Sequence, residues 1–367
     1  MEELKIKSKV RDFKIRFTNN FNFINVFLSY PYYVVIVGSV VYKIYKKKIF
    51  DKFPRKNLIV LKLDEKRKTL ESVNKIYDKL LSTSAKKNLT IISFGGGINQ
   101  DVIGFAASTL YRGINWIYVP TTLLAQADSA IGLKTSLNFH SYKNVLGTFY
   151  PPSEIFINVN FLKTLENKDY YSGIGEILKF LLMQKNSYKK IHNIISEINI
   201  LKKRKNNNYI IKIIKKSIKI KLSYMEGDEF DTGRRNLLNY GHELGHALES
   251  TSNFEIPHGI GVIIGIIFAT LVSHNRGYLS KDTLDVLVEK LLIPSIPFKE
   301  LNLKKNYFDS NKLLDRVKKD KKRVSNDLPL VLSDKNSELI KITDFTASEF
   351  KKNLIQLVKL FEDKSVF

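Results

Sequence analysis

The sequence predicts two domains. The first, residues 1–162, is an α/β domain of the doubly wound, Rossmann-like kind; the second, residues 163–367, is an all-α domain. Three observations carry this. Short apolar runs alternate with helix-period segments as far as residue 161. One of those runs ends in Gly95-Gly96-Gly97 and leads straight into a helical pattern. Beyond residue 161, long helical patterns take over and strand signals become few.

Residues 5–23 alternate loosely between apolar and polar, as one or two edge strands would. Strand signals follow at residues 34–37 and 58–63, then a helical stretch over 69–81. The apolar run 89–94 feeds the glycine turn, a helix pattern continues through 102–111, and residues 116–119 read as a strand closing in Pro120-Thr121-Thr122. Strands and helices in alternation imply a mainly parallel sheet. A glycine-rich turn between a strand and a helix lets backbone N–H groups approach a pyrophosphate. The text here is GGGINQD and not GxGxxG, so taken alone it suits a plain tight turn equally well. The second half reads as helices at 170–183, 209–224, 237–249, 261–272 and 284–291, with a charged connector at 202–208. The boundary is expected within residues 160–166, and no internal repeat is visible.

Composition narrows the class. A chain of 367 residues, 44% of them hydrophobic, has room for large cores. With no cysteine there are no disulfides, thiolate zinc sites or cysteine nucleophiles. Residues 1–20 are charged and lack the apolar core of a secretory signal, so a cytoplasmic protein is expected. The best membrane-span candidate, residues 26–42, is broken by Pro31 and Gly38 and reads better as a buried strand entering a turn. The net charge of +24 comes from lysines scattered along the whole chain. Without a basic patch interleaved with aromatics, this predicts a solvated surface that attracts anionic substrates, not a nucleic-acid or membrane partner.

The chemistry concentrates in residues 234–258, RRNLLNYGHELGHALESTSNFEIPH. Arg235, Asn239, His242 and His246 fall at i, i+4, i+7 and i+11, the spacing of one helical face. A stripe of guanidinium, amide and two imidazoles suits a metal or an anionic ligand. Gly241 and Gly245 would let a neighbour approach closely. His242-Glu243-Leu244-Gly245-His246 also matches HExxH, in which two histidines bind zinc and the glutamate acts as general base. The extended form of that motif fails because position 252 is Ser252. A different ligand set combines His242, His258 and a carboxylate from another helix. Glu176, a lone acid in a largely apolar helix, is the best candidate, although a simple pair with Lys179 would also satisfy it.

Linked motifs then make the chain resemble the 3-dehydroquinate synthase family of sugar-phosphate cyclases, from about residue 33 to residue 332. They are FGGG…D at 94–101, YRG…VPTTLLAQADS at 111–129, IGLKT…KNVLGTFYPP at 131–152, FLKTL at 161–165, SGIGEILK at 172–179, LLNYGHELGHALE…HG at 237–259 and DKK at 320–322. The resemblance implies that Glu176, His242 and His258 hold Zn2+ or Co2+. It implies Arg235 for a substrate carboxylate, for which a planar fork is well shaped. It implies Lys134, Asn144, Asn239 and His246 on the phosphate side, and Asp128, Lys179 and Lys221 facing the ring hydroxyls and ketone. Arg112 would reach the neighbouring subunit's site, implying a homodimer, and Lys321 or Lys322 would close the pocket. NAD would be met by Glu65, Lys68, Gly95, Gly96, Gly97, Asp101, Thr121, Thr122, Lys143 and Thr164. The implied reaction converts a seven-carbon keto-acid phosphate to 3-dehydroquinate with loss of phosphate, on the shikimate route to aromatic amino acids.

The chain departs from the family pattern at several positions. Gly38-Ser39-Val40 stands where an Asp-x-Asn turn is usual, and Gln100 replaces a glycine before Asp101. Leu133 replaces a glycine, Ile260 a glutamate, and Asp169 and Asp231 each a glutamate. These changes bear on nucleotide binding and resemble relatives with other sugar phosphates, so a cyclase of a neutral heptulose phosphate is the nearest rival. A metal-dependent alcohol or glycerol dehydrogenase of the same fold is a more distant one.

Overall fold

The computed structural model describes residues 2–82, 86–140, 142–318 and 328–367. Two compact units divide between Leu165 and Glu166.

In the first unit the strands are β1 (Glu2–Ile6), β2 (Phe13–Thr18), β3 (Tyr33–Gly38), β4 (Leu58–Leu61), β5 (Thr90–Gly95), β6 (Asn115–Pro120), β7 (Lys134–Phe139), β8 (Tyr142–Phe149) and β9 (Glu154–Asn158). The helices are α1 (Ile24–Leu28), α2 (Ser39–Tyr45), α3 (Leu70–Ser82), α4 (Gly97–Thr109) and α5 (Leu123–Ala127). Seven strands form one sheet in the order β1-β2-β9-β6-β5-β3-β4. Every pairing in it is parallel except β1 with β2. β3 and β5 are buried almost throughout, which is why they read as continuous apolar runs without alternation. One side of the sheet is filled by aromatic side chains, Phe27, Phe50, Phe94, Phe156 and Phe161 among them, packed mostly edge to face.

From β3 the chain steps outward to β4 at one edge, whereas β5 lies on the other side of β3 and leads to β6. The strand order therefore reverses between β3 and β5, and a crevice opens beyond their carboxyl ends at Gly38 and Gly95. β7 and β8 were not read as strands in the sequence. They form a separate antiparallel hairpin seated on α4, where Gly104 leaves room for Thr135.

The second unit holds α6 (Asn167–Leu182), α7 (Ile191–Lys202), α8 (Asn207–Met225), α9 (His242–Thr251), α10 (His258–Asn275), α11 (Lys281–Asp285), α12 (Ser310–Lys318) and α13 (Ala347–Glu362). It is helical but not all-α. β10 (Leu328–Ser333) and β11 (Leu339–Phe345) form an antiparallel hairpin beside α10. α10 is the central element. By length and composition it passes for a membrane span, yet most of it is buried inside the unit, as expected of a helix apolar on all sides.

Glycines set how closely α10 meets its neighbours. A Cβ on Gly259 would lie 1.8 Å from the Ser172 carbonyl oxygen, and one on Gly175 would lie 2.0 Å from that of Gly259. α6 and α10 thus cross backbone against backbone, and the Gly259 N–H donates to Ser172 Oγ at 2.9 Å. This contact brings Glu176 on α6 beside His258 at the start of α10.

The segment expected as one helix over 237–249 is broken. Arg234–Asn239 is a 3-10 turn, Gly241 takes a left-handed conformation (φ 78°), and α9 starts at His242. The physical reason is the approach of α10: a Cβ on Gly265 would fall 1.9 Å from the Gly241 carbonyl. Arg235 and Asn239 therefore do not share a helical face with His242 and His246, contrary to their spacing.

Candidate active site

In the second unit, three imidazoles and two acids meet where α6, α9 and α10 come together. His242 and His246 sit one turn apart on α9 with ring centroids 5.1 Å apart, and the His258 ring lies 5.1 Å from the first and 5.6 Å from the second. One ligand atom from each of the three lies within 4.8 Å of the others. Glu176 is fully buried, and its Oε1 lies 3.4 Å from His242 Nε2 and 3.2 Å from His258 Nε2.

Proton positions follow from the acceptors on the far side of each ring. A carbonyl and a carboxylate only accept, so His242 Nδ1 donates to the Tyr240 carbonyl at 3.3 Å and His258 Nδ1 donates to Glu249 Oε1 at 2.7 Å. Both Nε2 atoms are thereby turned toward Glu176. Among the described residues neither Glu176 oxygen receives a well-directed hydrogen bond, although Lys179 Nζ lies 2.6 Å from Oε2. The Glu176–Lys179 pair thus exists and leaves Oε1 free to face the imidazoles. A buried carboxylate and two Nε2 atoms converging in this way are a fitting donor set for a divalent ion.

Electrostatics divides the group. Burial disfavours a charged Glu176, but Lys179 and the two histidines outweigh it and hold the carboxyl well below its ordinary range. Burial and the Lys179 ammonium keep His242 neutral. Burial also opposes charge on His258, yet Glu249 and Glu176 on either side push it up to about 10.

Around this group, Lys179 donates to the Leu238 carbonyl at 3.1 Å, which ties α6 to the 3-10 turn carrying Arg235 and Asn239. Asn239 donates to the Asn236 carbonyl at 2.8 Å. Arg235 is buried and donates to the Glu229 carbonyl, and the buried Lys221 belongs to α8, which packs against the same turn. Asp228 anchors the turn by accepting from the backbone N–H groups of Thr232, Gly233 and Arg235.

Burial disfavours the Asp228 carboxylate, but those bonds prevail and hold its pKa at about 2, against an ordinary 3.8. A lowered pKa contributes stability above the unfolded value that is lost as pH falls through the folded one. The stability gap between the protein and Asp228→Asn should therefore be full at neutral pH and close as the pH drops from about 4 to 2. Thermal unfolding of both proteins across that range checks this, and a gap independent of pH would contradict it.

In the first unit the strand-order reversal is lined by Gly38, Gly95, Gly96 and the first turn of α4, whose N-terminal N–H groups and dipole suit a pyrophosphate. A Cβ on Gly95 would meet Asn99 at 2.2 Å, which leaves no room for a side chain, and one on Gly96 would press on Thr122 at 3.1 Å. Asn99 lies over Gly38 and Gly95, its Nδ2 without a hydrogen-bond partner among the described residues, and Gln100 exchanges two hydrogen bonds with Ser129, next to Asp128. Val40 is exposed, while Leu133 and Ile260, in their respective units, are buried.

Lys68, Asp101 and Asn144 come together: Lys68 Nζ lies 2.5 Å from Asp101 Oδ2 and donates to Asn144 Oδ1 at 2.6 Å. Asn138, which sequence reasoning missed, joins them to Glu65. It donates to Glu65 Oε1 and accepts from the Asn144 N–H, holding Asn144 at a positive φ of 56°. Its only signal was its place between two motif segments. Thr164 stands apart from this group, bonded to Tyr45. Thr121 is buried at the end of β6, Lys134 and Lys143 are half-buried on the β7–β8 hairpin, and Arg112 is exposed with a left-handed backbone. Lys321 and Lys322 lie outside the described residues.

Sequence comparison decides the family. The profile for the 3-dehydroquinate synthase N-terminal domain matches residues 58–172, and that for its C-terminal domain matches residues 173–323. The chain belongs to the 3-dehydroquinate synthase family. Members of the family include a 3-dehydroquinate synthase of Ruminiclostridium cellulolyticum, 36% identical over 82% of each chain, and one of Dictyoglomus turgidum, 32% identical over 88% of this chain and 86% of its own. Among solved structures, the 2-epi-5-epi-valiolone synthase of Streptomyces hygroscopicus subsp. jinggangensis, with NAD+ and Zn2+ bound, superposes with a TM-score of 0.84 at 20% identity. It covers 97% of this chain and 99% of its own. A 2-deoxy-scyllo-inosose synthase complexed with carbaglucose-6-phosphate, NAD+ and Co2+ superposes at 0.80 with 22% identity, covering 97% of this chain and 99% of its own. These likenesses show a shared fold. Three imidazoles within reach of one ion would suit the HExxH reading on geometry alone, and the family membership is what separates the two.

Proposed function

We propose that this member of the family is a metal- and NAD-dependent cyclase that converts 3-deoxy-arabino-heptulosonate 7-phosphate to 3-dehydroquinate and inorganic phosphate. The single observation that carries the reading is the convergence of Glu176, His242 and His258 in a chain of 3-dehydroquinate synthase sequence. When bound, the divalent ion would supply Lewis-acid stabilisation of substrate oxygens and NAD a reversible hydride acceptor, so that no net oxidation results.

The chain's own residues bind and orient. Glu176, His242 and His258 would hold the ion, with Lys179 kept beside it by Glu176. Arg235, fixed on its turn through Asp228, would take the substrate carboxylate. Asn239 and His246 are assigned to the phosphate, and Lys179 and Lys221 to ring oxygens. The Lys68–Asp101 pair, with Thr122 and the α4 N-terminus, would hold the nucleotide. Orientation and charge stabilisation then account for most of the rate. We also read the chain as a homodimer in which the exposed Arg112 serves the neighbouring site.

The test supplies the keto-acid phosphate with NAD and zinc and measures released phosphate and cyclised product. Both should appear together. Product from sedoheptulose 7-phosphate and none from the acid would select the cyclase of a neutral substrate. Peptide cleavage by zinc-loaded protein, abolished in Glu243→Gln, would overturn the cyclase reading.

A further inference from the structure

Glu249 closes α9 on the side opposite Glu176. It is buried, and it lies in the last turn of its helix, where the carbonyl end of the dipole disfavours an anion. A buried carboxylate in that place needs a partner, and His258 Nδ1 lies 2.7 Å from Glu249 Oε1. The His258 ring therefore stands between two carboxylates, with Glu249 at Nδ1 and Glu176 at Nε2. His242 has only the Tyr240 carbonyl in the corresponding place, and that bond is longer, at 3.3 Å.

We propose that Glu249 is the positioning residue of the metal site. It holds the proton of His258 on Nδ1, fixes the plane of the ring, and makes Nε2 the more electron-rich donor of the two imidazoles. This inference rests on the reading of Glu176, His242 and His258 as metal ligands. It adds that α9 contributes twice, giving His242 as a ligand and orienting the ligand on α10. A carboxylate hydrogen-bonded to the far nitrogen of a ligating imidazole raises its basicity, and loss of such a partner lowers metal affinity by roughly 10–100-fold.

The experiment measures zinc affinity by competition with a chromogenic chelator, and the visible d–d spectrum of cobalt-loaded protein at saturation. It compares the parent, Glu249→Gln and Glu249→Asp. Glutamine keeps an oxygen acceptor and loses the charge; aspartate keeps the charge but falls short of His258. Both folded variants should bind zinc about 10–100-fold more weakly. The cobalt spectrum of each should be shifted even when the site is full, which a merely structural ion pair would not produce. A variant that folds, binds zinc within about two-fold of the parent and keeps the parent's cobalt spectrum would overturn the role of Glu249 while leaving the metal site intact. No zinc binding by the parent itself would instead overturn the reading of the site.

Discussion

Gly259→Ala is expected to lose stability and the metal site together. The new methyl group would sit 1.8 Å from the Ser172 carbonyl oxygen, and that atom belongs to helix backbone and cannot rotate aside. α6 and α10 must separate by more than an ångström for it to fit. Overpacking of this kind costs about 1–3 kcal/mol and sometimes more, and the backbone-to-backbone contact puts this case at the upper end. At roughly 2–4 °C per kcal/mol for a unit of this size, the melting temperature should fall by about 6 °C or more. The same displacement draws Glu176 away from His258, so zinc affinity should fall as well. A variant melting at the parent's temperature would show that the two helices do not cross as described. The glycine substitution tests the scaffold and replaces none of the proposed ligands.

The second large effect is at Glu176. Glu176→Gln keeps the shape of the side chain, removes the anionic ligand and leaves the buried Lys179 without its counter-charge. Breaking a buried pair by removing one partner costs about 3–5 kcal/mol, whereas replacing both by apolar groups is often neutral. Glu176→Gln should therefore melt well below the parent, and Glu176→Gln/Lys179→Met should recover most of that loss. Neither should bind zinc measurably, and neither should release phosphate from the keto-acid substrate. Recovery of stability without recovery of metal binding is the pattern that separates a ligand from a structural acid. If the single variant bound zinc as the parent does, the ligand set would be wrong.

Much of this was legible in the sequence, for identifiable reasons. β5 and the turn after it could be read because a fully buried parallel strand is a continuous apolar run, and Gly95 at its end has no room for a side chain. Glu176 stood out because an acid inside an apolar helix must have a partner. The break before α9 was hidden because the residues from Arg235 to His246 happen to keep a helical spacing across it. What bends the chain at Gly241 is the stretch 262–266 of α10, more than twenty residues further on, and nothing local announces that. The β7–β8 hairpin was missed because its strands, KTSLNF and YKNVLGTF, contain no continuous apolar run and gain their place by packing on α4. Glu249 read as one more turn of helix. Its partner follows after a connection that reverses the chain, so the pairing appears only once α9 and α10 are laid side by side.

The most direct test is crystallographic: anomalous differences at the zinc edge from crystals grown with zinc and NAD. A single strong peak is expected within bonding distance, about 2.0–2.2 Å, of a Glu176 carboxylate oxygen, His242 Nε2 and His258 Nε2. A peak held by other side chains, or no peak at saturating zinc, would contradict this ligand set.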